Sequence, residues 1–270
     1  MTEDDIEQFA LDCLQEQRYQ LAYGPTLGPP DSPHGGDERL HYDDVILAGQ
    51  LGTFLDRHHR HLPAEARRDA LRQVLRVGEG LAPLAANEAF HQLLTEGVPV
   101  EFRDPASGEL RGDRVWLVNW QQPEQNQFLA VNQLTIVEDG QHKRPDIVLF
   151  VNGLPLVVLE LKNATNTKAT CKQAFQQLQN YQKAIPQLFV YNALLVASDG
   201  LEAKAGTVSA DWSRFSAWKA KDAHGLAPAN ETQLETLCAC LLRPAHLLDV
   251  LRHFLVFEHA REGTVKKLAA

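Results

Sequence analysis

The sequence predicts an α/β fold: a central mixed β-sheet flanked by helices. Three observations carry this. Apolar residues recur at helical spacing near both ends of the chain, β-forming runs cluster between residues 98 and 162, and two of those runs meet at Asn152-Gly153, a strong short hairpin signal. At 270 residues, with 44% apolar and 23% charged residues, the chain has ample material for a core and the composition of a soluble globular protein. The expected organisation is a single domain over 1–270, with 232–270 as a C-terminal helical segment.

Each element has a local reason. Residues 2–19 read as a helix: Thr2 or Asp4 can cap it, and Ile6, Phe9, Ala10, Cys13 and Leu14 fall at helical spacing. Residues 24–36 hold four prolines and four glycines and form a loop. Helices are expected over 42–56 and 63–77, joined across Arg57-His58-His59-Arg60-His61, and over 87–96, stopping at Gly97. The pattern then turns to strands: 98–102 and 114–120 around a polar turn at 105–112, then 127–137, 146–151 and 156–162. A helix over 168–185 carries Ala174, Phe175, Leu178 and Ile185 on one side, and an apolar strand occupies 191–197. Helices over 232–242 and 244–257 close the chain, with Pro244 in the first turn of the second.

Charge is unevenly placed. The net charge of −9 argues against a general nucleic-acid binder. Yet residues 141–190 carry +4 and all the others together −13, and the basic window contains only two acids, Asp146 and Glu160. No apolar run is long enough for a transmembrane helix, and the acidic start lacks the form of a secretory signal. Four cysteines without a C-x-x-C pair read as free thiols in a reducing cytoplasm, the expected location.

The chemistry concentrates in the 144–162 hairpin. Its otherwise apolar strands carry Asp146, Glu160 and Lys162, and burying an uncompensated charge costs several kcal/mol. Glu160 and Lys162 are two apart and share a face of their strand. A two-residue Asn152-Gly153 turn puts Asp146 opposite Leu159, with Glu160 on the wrong side. A three-residue loop, or an equivalent bulge, puts Asp146 opposite Glu160, and this is the expected register. Facing carboxylates repel. A divalent cation between them removes the repulsion, and all-oxygen ligands favour Mg²⁺, with Mn²⁺ as a substitute, over zinc.

Pro145-Asp146, thirteen residues, then Glu160-Leu161-Lys162 resembles the PD-(D/E)xK nuclease signature. The longer run from Arg144 to Asn163 resembles the N-terminal endonuclease domain of the R subunit of type I restriction-modification enzymes. Phe90-His91, Val131-Asn132-Gln133 and Ser198-Asp199-Gly200 agree, so that the resemblance covers nearly the whole chain. It implies a restriction-endonuclease-like core and Mg²⁺-dependent hydrolysis of double-stranded DNA, with Asp146, Glu160 and the Leu161 backbone carbonyl on the metal and Lys162 at the attacking water. It further implies a Gln-x-x-x-Tyr motif, here Gln177 and Tyr181, one helical turn apart. An acid of the first helix near the metal is also implied, and Glu7 fits. Lys168 and Lys172 are candidate phosphate contacts. The implied partners are the methyltransferase and specificity subunits, with ATP-driven translocase domains beyond residue 270. No G-x-x-x-x-G-K-[ST] phosphate loop occurs within the chain, so ATP is assigned to the full-length subunit only. A rival expectation is a non-catalytic docking module for the motor and methyltransferase subunits. The histidine-rich 57–61 segment reads as a solvated connector, and Trp212 and Trp218 as core packing rather than base-stacking platforms.

Overall fold

Helix α1 (Glu3–Glu16) begins with a capping box: Thr2 Oγ1 accepts from the Asp5 amide at 3.1 Å, and the Asp5 carboxylate accepts from the Thr2 amide at 2.6 Å. Its inner face buries Ile6, Ala10, Leu11, Cys13 and Leu14. The computed structural model describes residues 2–104, 106–163, 170–222, 225–228, 230–260 and 263–269. After α1 the chain turns at Arg18 (φ 71°) into β1 (Gln20–Tyr23). This edge strand is absent from the sequence reading, because it is four residues long and mostly exposed.

The helix expected over 42–56 forms only as α2 (Ala48–His58). The buried Arg39 guanidinium donates to the carbonyls of Tyr42, Asp44 and Thr135, and the Asp44 carboxylate accepts from the amides of Leu40 and His41. Those side-chain bonds hold residues 39–44 in an irregular turn. Helix α3 (Ala64–Leu75) matches its expectation closely, whereas α4 (Pro83–Glu96) starts earlier, with Pro83 in its first turn, and ends at Gly97 (φ 79°). Between α2 and α3 the histidine-rich connector departs from expectation: His59 is buried, with Nε2 against the Trp116 backbone.

Strands β2 (Val98–Arg103) and β3 (Leu110–Val115) form a separate hairpin. The expected 127–137 strand is two: β4 (Phe128–Asn132) and β5 (Ile136–Glu138), broken where Gln133 adopts φ 56°. β5 pairs with β6 (Gln141–Lys143). Then come β7 (Ile147–Val151), β8 (Leu154–Leu161), α5 (Cys171–Ala184) and, after Pro186 interrupts the helix, α6 (Pro186–Val190). β9 (Leu194–Ser198) and β10 (Ala203–Gly206) follow, with a small ribbon of β11 (Ala220–Asp222) and β12 (Gly225–Leu226). The central sheet has six strands in the order β1-β4-β7-β8-β9-β10, parallel at β1/β4 and β8/β9 and antiparallel elsewhere. Helices α1 and α5 pack on it, giving the flanked mixed sheet that the restriction-endonuclease-like reading requires.

The 232–270 segment is not wholly helical. Helices α7 (Gln233–Ala239) and α8 (Pro244–His253) give way to an antiparallel hairpin of β13 (Leu255–Ala260) and β14 (Gly263–Leu268). Tertiary bonds fix the hairpin. The Lys266 backbone exchanges hydrogen bonds with Ser209 and accepts from Thr207, and its buried Nζ donates to Asn87 Oδ1 and Asn192 O, each at 3.0 Å. Local helical spacing in 244–257 yields to these anchors.

The turn joining β7 to β8 has two residues, Asn152 (φ 51°) and Gly153 (φ 84°), and Val151 pairs with Leu154. The expected three-residue loop does not form. The shift comes instead from a bulge: Phe150 pairs with Pro155, but Leu149 pairs with Val157, leaving Leu156 as the extra residue. Asn152 is fully buried. Its Oδ1 accepts from Gln127 N, and its Nδ2 donates to Leu117 O and Asn126 Oδ1. Gly153 lies so close to α2 that an added Cβ would sit 2.5 Å from the Leu47 carbonyl oxygen. Replacing Asn152 with Ala strands these buried partners in a left-handed backbone position and is expected to cost about 3 kcal/mol in urea unfolding. Asn152→Gly, which relieves the backbone, is expected to cost less.

Candidate active site

The bulge decides what faces what. With Ile147 paired to Leu159, the next antiparallel position sets Asp146 across from Glu160. Asp146 Oδ2 accepts from the Leu161 amide at 2.6 Å. Lys162, just past β8, donates from Nζ to Glu160 Oε1 at 2.7 Å and to the Leu161 carbonyl at 3.0 Å. Its own amide donates to Ser198 O, tying the lysine to the end of β9. Glu160 is 2% exposed and the Lys162 side chain 23%, so a buried carboxylate is reached through a partly open lysine.

The electrostatics follow from burial. Desolvation raises the Asp146 pKa, which the Leu161 amide and Lys162 only partly offset and which the charges of Glu7 and Glu3 reinforce. The Glu160 pKa is also raised, by burial first and then by Asp146. Burial works to lower the pKa of Lys162, but Glu160 and then Asp146 outweigh it and leave the pKa raised, so this lysine is a cation at neutral pH. Glu160 Oε2 is buried and has no hydrogen-bond partner. Tyr181 lies against Glu160, and its hydroxyl donates to the Arg144 carbonyl at 3.3 Å.

The other sequence candidates fall at different distances from this pair. Helix α5 carries Gln177 and Tyr181 one turn apart, Tyr181 buried and Gln177 half-buried. Glu7, on α1, reaches the same end of the sheet. Its carboxylate accepts from Asn132 Nδ2 at 2.8 Å and from Gln133 Nε2, and the Gln133 amide donates to Asp146 O. Lys172 is exposed in the first turn of α5, and Lys168 lies outside the described residues. Glu3, Asn132, Gln133 and Ser198 are additional neighbours. Asn132 and Gln133 lie in the Val131-Asn132-Gln133 string of the sequence, but nothing in local spacing gives them a role beside Asp146.

Two facing carboxylates and one backbone carbonyl are an all-oxygen donor set suited to a hard divalent cation. An unpartnered, buried carboxylate oxygen is a costly group that such a cation would satisfy. Among the described residues no group of three or more His, Cys, Asp and Glu side chains surrounds a common point. Glu7 therefore stands beside the pair as a neighbouring charge, committed to Asn132 and Gln133.

A family model, type I restriction enzyme R protein N terminus, matches residues 1–214, and the chain belongs to this family. It is 37% identical over 274 residues to the type I restriction enzyme HindI endonuclease subunit of Haemophilus influenzae, covering 100% of this chain and 25% of that protein. The SsaAORF53P endonuclease subunit of Staphylococcus saprophyticus is 28% identical over 138 residues, 49% of this chain and 14% of its own length. The SauCOLORF180P subunit of Staphylococcus aureus is 36% identical over 80 residues, 29% of this chain and 8% of its own. The chain thus spans about a quarter of the length of the Haemophilus relative and less of the others. No helix among the described residues is long and apolar enough to cross a membrane.

The raised carboxyl pKa values make stability pH-dependent. The folded protein holds these protons more tightly than the unfolded chain, so stability is lost as pH rises from the ordinary carboxylate range of about 4 past neutrality. In metal-free buffer the melting temperature is expected to fall between pH 5 and pH 8 (about one pKa unit per 1.4 kcal/mol). Glu160→Gln should flatten that slope, and a slope equal to that of the unaltered protein would refute the assignment.

Proposed function

We propose that this chain is the Mg²⁺-dependent DNA endonuclease part of a type I restriction enzyme R subunit, of the PD-(D/E)xK type. The observation that carries the reading is the facing pair of half-buried Asp146 and buried Glu160, with one Glu160 oxygen unpartnered and a lysine cation on the other. Asp146, Glu160 and the Leu161 carbonyl would hold the ion. When bound, it supplies positive charge at the scissile phosphate and acidifies an attacking water. Lys162, held on Glu160 and Leu161, keeps its ammonium at the mouth of the site. From there it orients the water and offsets charge that builds on the phosphoryl oxygens. A raised pKa suits that cationic role better than the role of general base. Hydrolysis then forms one P–O bond from water and breaks one to the leaving sugar oxygen.

Tyr181 and Gln177 brace Glu160 from α5, and Lys172 lies where a phosphate backbone passing over α5 would meet it; Lys168 is assigned the same task. Glu7 would join the metal only by releasing Asn132 and Gln133, and in this reading it stays an outer charge that adds to the cation's hold. The proposed substrate is double-stranded DNA in the cytoplasm, with the methyltransferase and specificity subunits as partners and ATP used by the rest of the R subunit.

In the assembled enzyme Asp146→Ala, Glu160→Ala and Lys162→Ala are each expected to reduce cleavage by about 10²–10³-fold or more, while ATP hydrolysis persists. The double mutant Asp146→Ala/Glu160→Ala should match either single one, because the pair acts as a unit. Chelation by EDTA should abolish cleavage and Mn²⁺ restore it. Calorimetry with Mg²⁺ separates this reading from a docking module: heat that disappears in Glu160→Ala supports the nuclease, and a silent titration supports the module.

A further inference from the structure

A second departure from sequence expectation outside the carboxylate site is the histidine-rich connector. His58 and His59 line a cavity of about 310 Å³ together with Phe54, Trp116, Trp120 and Arg252. It lies at the Asn152-Gly153 end of the β7–β8 hairpin, where Asn152 grips the carbonyl of Leu117. That is the far end from Asp146, about 17 Å along β7 at strand spacing.

Three polar atoms of its walls are buried and unpartnered: His58 Nε2, His59 Nδ1 and Trp120 Nε1. His59 is 5% exposed, and its other nitrogen is committed to the Trp116 backbone. The walls are flat. The His58 ring stacks on Phe54 with centroids 4.3 Å apart, and the Arg252 guanidinium lies 5.5 Å from the centre of the Trp120 ring. Burial lowers the pKa of both histidines, so each imidazole is neutral at pH 7 and presents one unpartnered ring nitrogen, donor or acceptor according to its tautomer. Trp120 can only donate. Arg252 brings a permanent positive charge from α8, with Arg57 acting on His58 from beside it. Asp113 is engaged with His61 on the rim, at 3.7 Å.

We infer that this cavity binds a nucleobase carrying a phosphate, the flat base stacked on Trp120 and edge-bonded by His58 and His59, with the phosphate at Arg252. A heteroaromatic base satisfies stacked walls and mixed donors and acceptors together. An aliphatic ligand leaves the two histidine nitrogens orphaned, and an inorganic anion leaves the Trp120 face uncovered. The volume suits one nucleotide rather than an extended chain. The same chemistry can come from a free mononucleotide or from an unpaired base of a strand. The inference does not rest on the nuclease reading, because none of its residues touches Asp146, Glu160 or Lys162.

The test titrates the full chain with deoxyadenosine monophosphate, deoxyribose 5-phosphate and a short single-stranded oligonucleotide, read by tryptophan fluorescence and calorimetry. The monophosphate should bind saturably and the base-free sugar phosphate much more weakly. Trp120→Ala should weaken binding about ten-fold or more, the scale of one base–aromatic stack. Trp120→Phe should keep most of the affinity, and Arg252→Gln should weaken the monophosphate but not deoxyadenosine. Thermal melts identify any variant that fails to fold, and Trp120→Phe and Arg252→Gln carry the test if Trp120→Ala does. Tighter binding of the oligonucleotide assigns the site to a strand, and tighter binding of the monophosphate to a free nucleotide. Asp146→Ala should leave all of these values unchanged, so failure of either reading is visible separately. The inference is overturned if no base-bearing probe binds, if the sugar phosphate binds as well as the nucleotide, or if Trp120→Ala binds normally.

Discussion

Two carboxyl groups, Glu160 buried and Asp146 half-buried, meet at the end of a sheet that is otherwise built from Val, Leu, Ile and Phe, and the surrounding structure is arranged to tolerate them. β8 is paired on both sides, by β7 and β9, and every residue in it is buried. Glu160 therefore has no route to bulk water along its own strand. One extra residue at Leu156 turns it toward Asp146 rather than away. Without that bulge, alternation along the strand would send the two carboxylates to opposite faces, and no later adjustment of a side chain could reunite them.

The neighbours share the electrostatic load unequally. The Leu161 amide and the Lys162 ammonium work for the charged forms, while Glu3 and Glu7 work against that of Asp146. Tyr181 lies beside Glu160, its hydroxyl donating to the Arg144 carbonyl. A purely structural ion pair would be balanced in place. Among the described residues Lys162 is the cation bonded to Glu160, and Glu160 Oε2 has no hydrogen-bond partner. That arrangement is the physical ground for the proposed cation, and it does not draw on any likeness to other proteins.

Much of this was legible in the sequence because its signals are local. Short runs of apolar β-formers, the Asn-Gly turn and three charges among them mark β7 and β8, whereas Gln177 and Tyr181 came from the family resemblance, with which their i, i+4 spacing agrees. What was not legible depends on long-range contacts. The choice between a three-residue loop and a two-residue turn with a bulge is settled by Asn152 binding Gln127, Leu117 and Asn126. The short helix α2 is set by Arg39 seizing distant carbonyls, and the β13–β14 hairpin by Lys266 reaching Asn87 and Asn192. His58 and His59 read as solvated because their neighbours in the chain are charged, whereas their neighbours in space are Phe54, Trp116 and Trp120.

The parallel pairing of β8 with β9 bears on how the protein is made. A parallel neighbour arrives only after a crossover, here through α5 and α6, so β8 stays open on one side until residues 194–198 have been synthesised. A nascent chain that has emerged as far as Lys162 already carries all three charged residues, yet lacks the Ser198 carbonyl that anchors the lysine and the helix that seats Tyr181 beside Glu160. The site is thus completed late and from both sides of the chain, and no N-terminal portion of the nascent polypeptide can assemble it early.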